Sequence, residues 1–264
     1  MKIATYNINS IKARCSNLCQ WLKDENPDIV FLQEIKCETE NFLYFECESM
    51  GYHVAVLGQK SYNGVAILSK FNFIISAKNL PNFQEDDSAR YIEIFVQHPV
   101  SPFYAASIYA PNGCAPNKDV EQIKLVGKLT WFDKLYKHAA DLINSGFPVI
   151  FAGDFNVMMN ALDVFDEERF LGSPLYRIDV QNKIKALSFL GFHDAFRLLH
   201  PVSEGYTFWD YSANSFVTNL GLRIDYVFVT AFFAERLKEC FVDKSLRSMN
   251  KPSDHTALIA NFEF

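Results

Sequence analysis

Residues 53–78 read HVAVLGQKSYNGVAILSKFNFIISAK and decide the fold class. They contain three short apolar runs, His53–Leu57, Val65–Leu68 and Phe73–Ala77, rich in the β-branched and aromatic residues typical of strands. Asn63-Gly64 supplies a turn between the first two runs. Because no helical stretch separates the runs, the sequence predicts antiparallel hairpins. It does not follow the strict β-α-β alternation of a doubly wound dinucleotide-binding fold.

Further strand and helix candidates extend this pattern along the whole chain. No low-complexity tract, long linker or fixed-period repeat divides it. The sequence therefore predicts one domain over residues 1–264, an α/β sandwich with helices outside two mixed sheets. The other predicted strands are Ile3–Ile8, Ile29–Leu32, Tyr91–Val96, Phe103–Tyr109, Val149–Ala152, Tyr226–Val229 and Thr256–Phe262, and the predicted helices are Ser10–Lys23, Glu38–Met50, Asp119–Asn144 and Val180–Leu190.

Two stretches lack clear periodicity, Asn156–Tyr176 and Glu204–Leu222. Loops of this length in a compact domain are usually functional, and the alternative is a disordered excursion.

Composition narrows the classes of function. The 264 residues are 49% hydrophobic, enough for a large core. A net charge of −6 argues against non-specific coating of nucleic acid, but it permits one basic groove or a carboxylate-lined metal site. The six cysteines show no zinc-finger spacing, which indicates free thiols in a reducing compartment. With no signal-peptide pattern and no apolar run of about 20 residues, a cytoplasmic protein without a membrane partner is expected.

Oxygen-bearing side chains close the first two predicted strands. Asn7 ends the first strand and Glu34 ends the second, in TYNINS and FLQEIK. A carboxylate beside a carboxamide on rigid elements is how ligands for a hard cation such as Mg²⁺ are assembled. Taken alone, Glu34 is more often a solvated charge at a strand end.

A second constellation follows the strand in PVIFAGDFN. Asp154 and Asn156 lie two residues apart, so they lie on one face of an extended chain. A carboxylate and an amide that converge in this way can take a proton and hold a reacting oxygen. The alternative for an Asp-x-Asn pair is a simple turn.

Two acidic residues have the spacing to work with one histidine. Asp254-His255 precedes the last strand, and Asp225 stands at the entry of another strand, where it could orient an imidazole. No Gly-x-Ser-x-Gly elbow supplies a nucleophilic side chain.

Eight strings then resemble, in order, the motifs of the exonuclease III-like apurinic/apyrimidinic endonucleases. They span residues 3 to about 260 and read N-x-N-S-I-K-A-R, L-Q-E-I-K, Y-N-G-V-A-I-L-S-K, Y-A-P-N-G, G-D-F-N, T-F-W-D-Y, N-x-G-L-R-I-D and P-S-D-H. The resemblance implies a four-layered, DNase I-like sandwich that hydrolyses phosphodiesters by direct attack of water, without a covalent intermediate.

The resemblance also implies roles for individual residues. Asp154 matches the base that activates water, Asn156 the group that holds the phosphate or nucleophile, and Tyr109 a phenol that hydrogen-bonds the phosphate. His255, oriented by Asp225, matches a contact to a non-bridging oxygen. The implied cofactor is Mg²⁺, with Mn²⁺ as a substitute, and one metal or two stays open. The implied metal-site residues are Asn7, Glu34, Asp154, Asn156, Asp254 and His255.

The implied partner is double-stranded DNA with abasic sites or 3′ ends, bound by a monomer. An apolar pocket that admits a flipped baseless sugar would provide the specificity. The chain departs from the family at Ser212, where a basic residue is usual, at Tyr226, where a histidine is usual, and in residues 173–183. The substrate-binding residues implied are Asn112, Phe208, Trp209, Asn219, Leu222 and Arg223.

Two other interpretations remain at this stage. An enzyme with the same metal core could act on another phosphodiester, as DNase I-like or phosphoinositide phosphatase-like enzymes do. An inactive DNA-binding scaffold would instead show a broken carboxylate set, and this sequence keeps every member.

Overall fold

The computed structural model describes residues 1–81, 83, 88–115, 117–212 and 214–264. Its strands are β1 (Lys2–Asn7), β2 (Ile29–Gln33), β3 (His53–Leu57), β4 (Val65–Ser69), β5 (Phe73–Lys78), β6 (Tyr91–Val96), β7 (Phe103–Tyr109), β8 (Val149–Asp154), β9 (His193–Asp194), β10 (Asp225–Val229), β11 (Leu237–Asp243) and β12 (Ala257–Phe262). Its helices are α1 (Cys15–Glu25), α2 (Tyr44–Glu48), α3 (Lys118–Asn144), α4 (Glu167–Phe170), α5 (Ile178–Phe189), α6 (Ala195–Leu199) and α7 (Ala231–Ala234).

The described strands form two mixed sheets, which confirms the predicted α/β sandwich. The first has the order β11-β12-β1-β2-β4-β3 and the second the order β5-β6-β7-β8-β10-β9. Each contains one parallel pair, β1 with β2 and β7 with β8, and its other pairs are antiparallel. The stretch 53–78 divides between the sheets, because β3 and β4 form a hairpin in the first and β5 begins the second.

Apolar side chains from both sheets meet in a shared core. Ile3 and Phe31 of the first sheet and Ile94 and Ile150 of the second belong to one buried cluster. The outer faces are covered by helices, for instance by Trp21 of α1 on the first sheet and by α3 and α5 on the second. Full burial of one large apolar side chain contributes about 1.5–3 kcal/mol, so this layering is strongly favoured.

Three features of the structure differ from the predicted elements. The strand β11 was missed because its exposed Lys238 and Glu239 and a bulge after Leu237 interrupt the alternation of apolar residues. The helix predicted over Glu38–Met50 is divided, because Phe42 adopts extended backbone and its side chain is buried. The first helix begins at Cys15 instead of Ser10.

The two long stretches without periodicity meet each other in space. Isolated bridges pair Val164 with Leu222 and Phe208 with both Leu222 and His255. Both segments therefore lie beside the start of β12, with Ala213 outside the described residues. Within the described part of the chain, no helix has the length and apolar character required to cross a membrane.

Candidate active site

The predicted site residues meet at one edge of the sandwich. Asn7 and Gln33 are register partners at the ends of the parallel strands β1 and β2, and Glu34 follows directly. In the second sheet Asp154, at the end of β8, pairs with Tyr109 of β7 and with Asp225 of β10. Because β12 runs antiparallel to β1, its approach brings His255 to the same edge.

Gly153 explains the glycine of the G-D-F-N motif. A Cβ at this position would overlap the carbonyl oxygen of Ile108 on the neighbouring strand β7. Only glycine permits this close approach of the two backbones. The carboxylate of Asp154 is thereby presented at the end of a rigid, buried strand.

Glu34, Asp154 and His255 form one cluster, with ligand atoms within 4.8 Å of one another. Two carboxylates at this spacing suit a hard divalent cation, which prefers oxygen ligands. Glu34 has an unusual left-handed backbone, with φ of +49°, and its half-buried carboxylate lies near that of Asp154. The pair Glu34 and Asp154 therefore fits the predicted metal.

Asn7 takes a different part from the metal ligand that was predicted. Its Nδ2 donates to Glu34 Oε1 (2.8 Å) and to Asp154 Oδ2 (2.9 Å). Its Oδ1 accepts the backbone N–H of Asn9 (3.1 Å), which sets the orientation of the amide. In this arrangement Asn7 orients the two carboxylates and presents no oxygen between them.

The imidazole of His255 lies between two carboxylates. Nδ1 is 2.9 Å from Asp225 Oδ2, and Nε2 is 3.7 Å from Asp154 Oδ2. Burial by itself would lower the pKa of His255, but the charge and hydrogen bond of Asp225 and the charge of Asp154 raise it to about 10. A protonated imidazole donates hydrogen bonds to a phosphate oxygen, whereas a neutral imidazole in the same place could bind a cation.

Asp154 has the character of a general base. Burial raises the pKa of this carboxyl to about 7, and the charges of Asp225 and Glu34 add to the effect while His255 and Asn7 oppose it. A base with a pKa near the working pH is strong enough to take a proton and is still ionised in a large fraction of the molecules. Asp154 is therefore matched to accepting a proton at neutral pH.

Asn156 and Tyr109 complete the predicted catalytic group. The backbone N–H of Asn156 donates to Asp154 Oδ1 (2.9 Å), and its Nδ2 donates to the carbonyl of Ala110 (2.9 Å). The side-chain oxygen of Asn156 thus remains as an acceptor. Burial, with the charges of Glu34 and Asp154, raises the pKa of Tyr109 well above its ordinary value, so the phenol stays a donor.

Asp254 lies at the border of the site and outside the cluster of Glu34, Asp154 and His255. Its Oδ1 accepts from Asn9 Nδ2 (2.9 Å) and from the hydroxyl of Ser253 (3.2 Å). Lys36 links this border to the centre, since its ammonium is 2.8 Å from Glu34 Oε2 and donates to Asn9 Oδ1 (2.6 Å).

A largely apolar cavity of about 320 Å³ lies beside Phe208, a residue in contact with His255. Phe208 and Leu222 line it, and the Phe208 ring packs edge-on against the imidazole with centroids 4.9 Å apart. Its rim carries the exposed Ser212 and Arg169. Two of the predicted substrate-binding residues therefore stand beside the predicted catalytic histidine.

Two predicted substrate-binding residues are buried and cannot touch a ligand in this arrangement. Trp209 has no exposed surface, and its Nε1 donates to Asn219 Oδ1 (3.3 Å). Arg223 is also fully buried and pairs with Asp163 (2.7 Å) and Asp194 (2.7 Å). Neither residue lines this cavity, and Arg223 lines a separate pocket with Asp194 and Arg197. Asn112 and Asn219 are exposed.

Tyr226, one of the departures from the family pattern, does not face solvent. Its hydroxyl donates to the carbonyl of Val157 (2.7 Å) inside the second sheet's outer core. The usual histidine is therefore replaced at a packing position.

Sequence reasoning missed Lys36, Lys128 and Asp163. They contact Glu34, the carbonyl of Asn156 and Arg223 respectively. Lys36 stood within the quoted L-Q-E-I-K string and could have been noticed there. The contacts of Lys128 with Asn156 and of Asp163 with Arg223 carry no local signal, since the partners lie in distant segments.

Comparisons with known proteins agree with this geometry. The profile of the endonuclease/exonuclease/phosphatase family matches residues 4–255. Exodeoxyribonuclease III of Haemophilus influenzae is 30% identical, with all of both chains covered. The chain belongs to the exonuclease III group of this family.

Solved structures in the exonuclease III group share the whole fold. An AP endonuclease from Archaeoglobus fulgidus matches with a TM-score of 0.91 and 32% identity, covering 100% of both chains. A 3′–5′ exonuclease from Neisseria meningitidis matches with a TM-score of 0.92 and 32% identity over the same coverage. The protein is accordingly a hydrolase of the nuclease type, in a family of metal-dependent DNA-repair enzymes.

Proposed function

We propose that the protein is a Mg²⁺-dependent phosphodiesterase that incises double-stranded DNA 5′ to abasic sites and leaves a 3′-hydroxyl. The observation that carries the proposal is the contact between the Phe208 ring and His255. This contact sets an apolar cavity directly beside a buried carboxylate–imidazole group, so a sugar in the cavity would bring its phosphate to the histidine.

The residues divide the chemistry among them. Bound between Glu34 and Asp154, the metal ion would offset negative charge on the phosphate. Asp154 accepts a proton from the attacking water, and the side-chain oxygen of Asn156 accepts a hydrogen bond from the water's other O–H and so orients it. Asp225 holds the imidazole in place, as the orienting carboxylate of a hydrolase triad does.

Two donors face the charge that grows during attack. The imidazolium of His255 and the phenol of Tyr109 donate hydrogen bonds to non-bridging phosphate oxygens. Each such fixed donor in a water-poor site is worth about 3–4 kcal/mol in the transition state.

Substrate choice follows from the shape and polarity of the cavity. The apolar surface of Phe208 and Leu222 suits a baseless sugar, which enters at a low unstacking cost, while Asp210, Ser212 and Ser215 supply polar groups of the lining. A Neisseria structure described as a 3′ phosphatase bound to product DNA hairpin, 31% identical to this chain, supports a second activity. We therefore include 3′-end cleaning, by phosphatase or exonuclease action, in the proposal.

The decisive experiment is product analysis on four substrates with Mg²⁺. These are an abasic duplex, the matched intact duplex, a duplex with a 3′-phosphate, and an inositol phosphate. A nick 5′ to the abasic site with a 3′-hydroxyl product is expected, with little cleavage of the intact duplex. Equal rates on both duplexes would refute the abasic preference, and faster hydrolysis of the inositol phosphate would refute a DNA substrate.

A titration with abasic duplex in the presence of a chelator tests the inactive-scaffold alternative. Tight binding followed by no product after addition of Mg²⁺ would support the scaffold. A single domain, a monomer and a cytoplasmic location stay predictions.

A further inference from the structure

Lys128 occupies a core position of helix α3. The apolar residues Leu125, Phe132 and Leu135 on the same face are buried, and Lys128 is likewise without exposed surface. Burial lowers the pKa of its ammonium to about 7. A buried charge is costly unless its hydrogen bonds are made, so this position calls for an explanation.

Three backbone carbonyls meet at this ammonium. Nζ donates to Asn112 O (3.0 Å), to Asn156 O (2.6 Å) and to Pro174 O (2.9 Å). An ammonium has three donors, so all of them are used. The three acceptors lie 16, 28 and 46 residues away along the chain, in three different loops.

The stem of Lys128 packs against two of these loops. A Cβ on Gly113 would lie 3.1 Å from Lys128 Cδ and 3.0 Å from Pro174 Cβ. The loops that carry Asn112 and Pro174 therefore pack tightly on the lysine stem. A shift of the loop that carries Asn156 or of the loop that carries Pro174 would leave a buried carbonyl without its partner, which costs about 1–3 kcal/mol.

One of these carbonyls belongs to a residue of the proposed catalytic group. Asn156 has a left-handed backbone, with φ of +53°, and its N–H and side chain hold Asp154 and Ala110. Lys128 holds a further polar group of the same residue, its backbone carbonyl. The orientation of Asn156 thus depends on an ammonium that lies outside the site.

We propose that Lys128 is a positioning residue that clamps the loops of Asn112, Asn156 and Pro174 in the arrangement needed for phosphodiester hydrolysis. This inference rests on the proposed function, because it gives Asn156 a part in the reaction. A misplacement of about 1 Å at such a residue can cost about 100-fold in rate.

The test is a double-mutant cycle between Lys128 and Asn156. We would compare the wild type, Lys128→Met, Asn156→Ala and the double variant in single-turnover incision of an abasic duplex. The assay temperature would lie well below the unfolding midpoint of every variant. Lys137→Met is the matched control, because it makes the same change at an exposed position of the same helix.

Lys128→Met should lower the single-turnover rate by about 10- to 100-fold in the wild-type background. In the Asn156→Ala background it should lower the rate by less than about threefold, because residues acting through one contact are not additive. Lys137→Met should leave the rate unchanged. Two results would overturn the proposal: an unchanged rate in folded Lys128→Met, or an equal loss in both backgrounds.

Lys128→Gln extends the test if Lys128→Met fails to fold. Its amide keeps two N–H donors, so it should fold and show a smaller loss with the same dependence on Asn156. If the wild type does not cut abasic DNA, the cycle is run on whichever of the four substrates it hydrolyses. Failure of the proposed substrate and failure of the clamp are thereby distinguished.

Discussion

Two buried carboxylate–imidazole pairs lie against the same sheet, and only one belongs to the site. Asp225 of β10 pairs with His255 at 2.9 Å, and Glu93 of β6 pairs with His138 of α3 at 2.7 Å. Judged by distance and burial, the two pairs are nearly alike. The two pairs differ in whether their other oxygen and nitrogen atoms have hydrogen-bond partners.

The Glu93 pair is saturated. Glu93 also accepts hydrogen bonds from the hydroxyls of Tyr91 (2.5 Å) and Ser76 (2.6 Å), so both carboxylate oxygens are occupied. By contrast, Asp225 Oδ1 is buried without a hydrogen-bond partner among the described residues. The other nitrogen of His255 faces Asp154 at 3.7 Å, beyond a good hydrogen bond. A pair whose atoms can still form hydrogen bonds can bind and act on a ligand. A pair whose hydrogen bonds are all made within the protein stabilises the fold.

Of changes within the two pairs, Asp225→Asn has the largest expected effect. Without the carboxylate, the imidazole loses its orientation and its positive charge, and kcat on an abasic duplex should fall by up to about 10⁴-fold, as in a hydrolase triad. Glu93→Gln is the matched control and should change kcat by less than about threefold. Similar losses in the two variants would remove the distinction between the pairs.

Glu34 distinguishes the two pairs as possible metal sites. Among the described residues, the Glu93 cluster has a single carboxylate, whereas the active site has several. Glu34→Ala should abolish incision in a folded protein and weaken Mn²⁺ binding by on the order of 100-fold. The ion would be titrated by electron paramagnetic resonance. Glu40→Ala, an exposed glutamate on the turn Thr39–Asn41, is the control. Undiminished Mn²⁺ affinity in Glu34→Ala would exclude Glu34 as a ligand.

Stability should respond in the opposite way to activity. Glu93→Gln should lower the free energy of unfolding by about 2–3 kcal/mol, because an amide cannot accept all three hydrogen bonds. Urea unfolding at neutral pH measures this value. Glu239→Gln, on the exposed edge strand, should cost less than about 0.5 kcal/mol. Equal costs for the two variants would contradict a structural role for the Glu93 pair.

Glu93→Gln should also change how the free energy of unfolding depends on pH. Burial alone would raise the pKa of Glu93, but hydrogen bonds from His138, Ser76 and Tyr91 lower it below its ordinary value of 4.5. The stability gained from the ionised carboxylate is therefore fully present above pH 4.5 and is lost as the pH falls through the lower, folded-state pKa. This part of the acid destabilisation should be missing from Glu93→Gln.

The smallest expected effect concerns the rim of the site. Ser212→Lys should lower KM for the abasic duplex a few-fold at low salt and steepen the salt dependence by about one unit, with kcat unchanged. Asn144→Lys adds the same charge at the far end of α3. An equal effect from both variants would mean that the added charge acts through the net field and makes no contact at the cavity.

The site could be predicted from sequence wherever a reactive residue ends a strand. Glu34, Asp154, Asp225 and His255 all stand beside short apolar runs, and the structure brings their side chains to one edge. The contacts of Asn7, Trp209 and Arg223 could not be predicted in this way, and their parts in metal and substrate binding stay predictions. Amide orientation and burial depend on neighbours far along the chain, such as Asp163 for Arg223, and no local pattern reports them.

By itself, the sequence determined the layered α/β fold, the exonuclease III motifs and the reactive residue types at the ends of strands. These follow from local periodicity and spacing, which need no knowledge of distant contacts. Only the tertiary structure decided which buried carboxylate–imidazole pair has atoms left to form hydrogen bonds, and that Lys128 joins three loops. Both depend on hydrogen-bond partners that distant segments supply, as three loops do for Lys128.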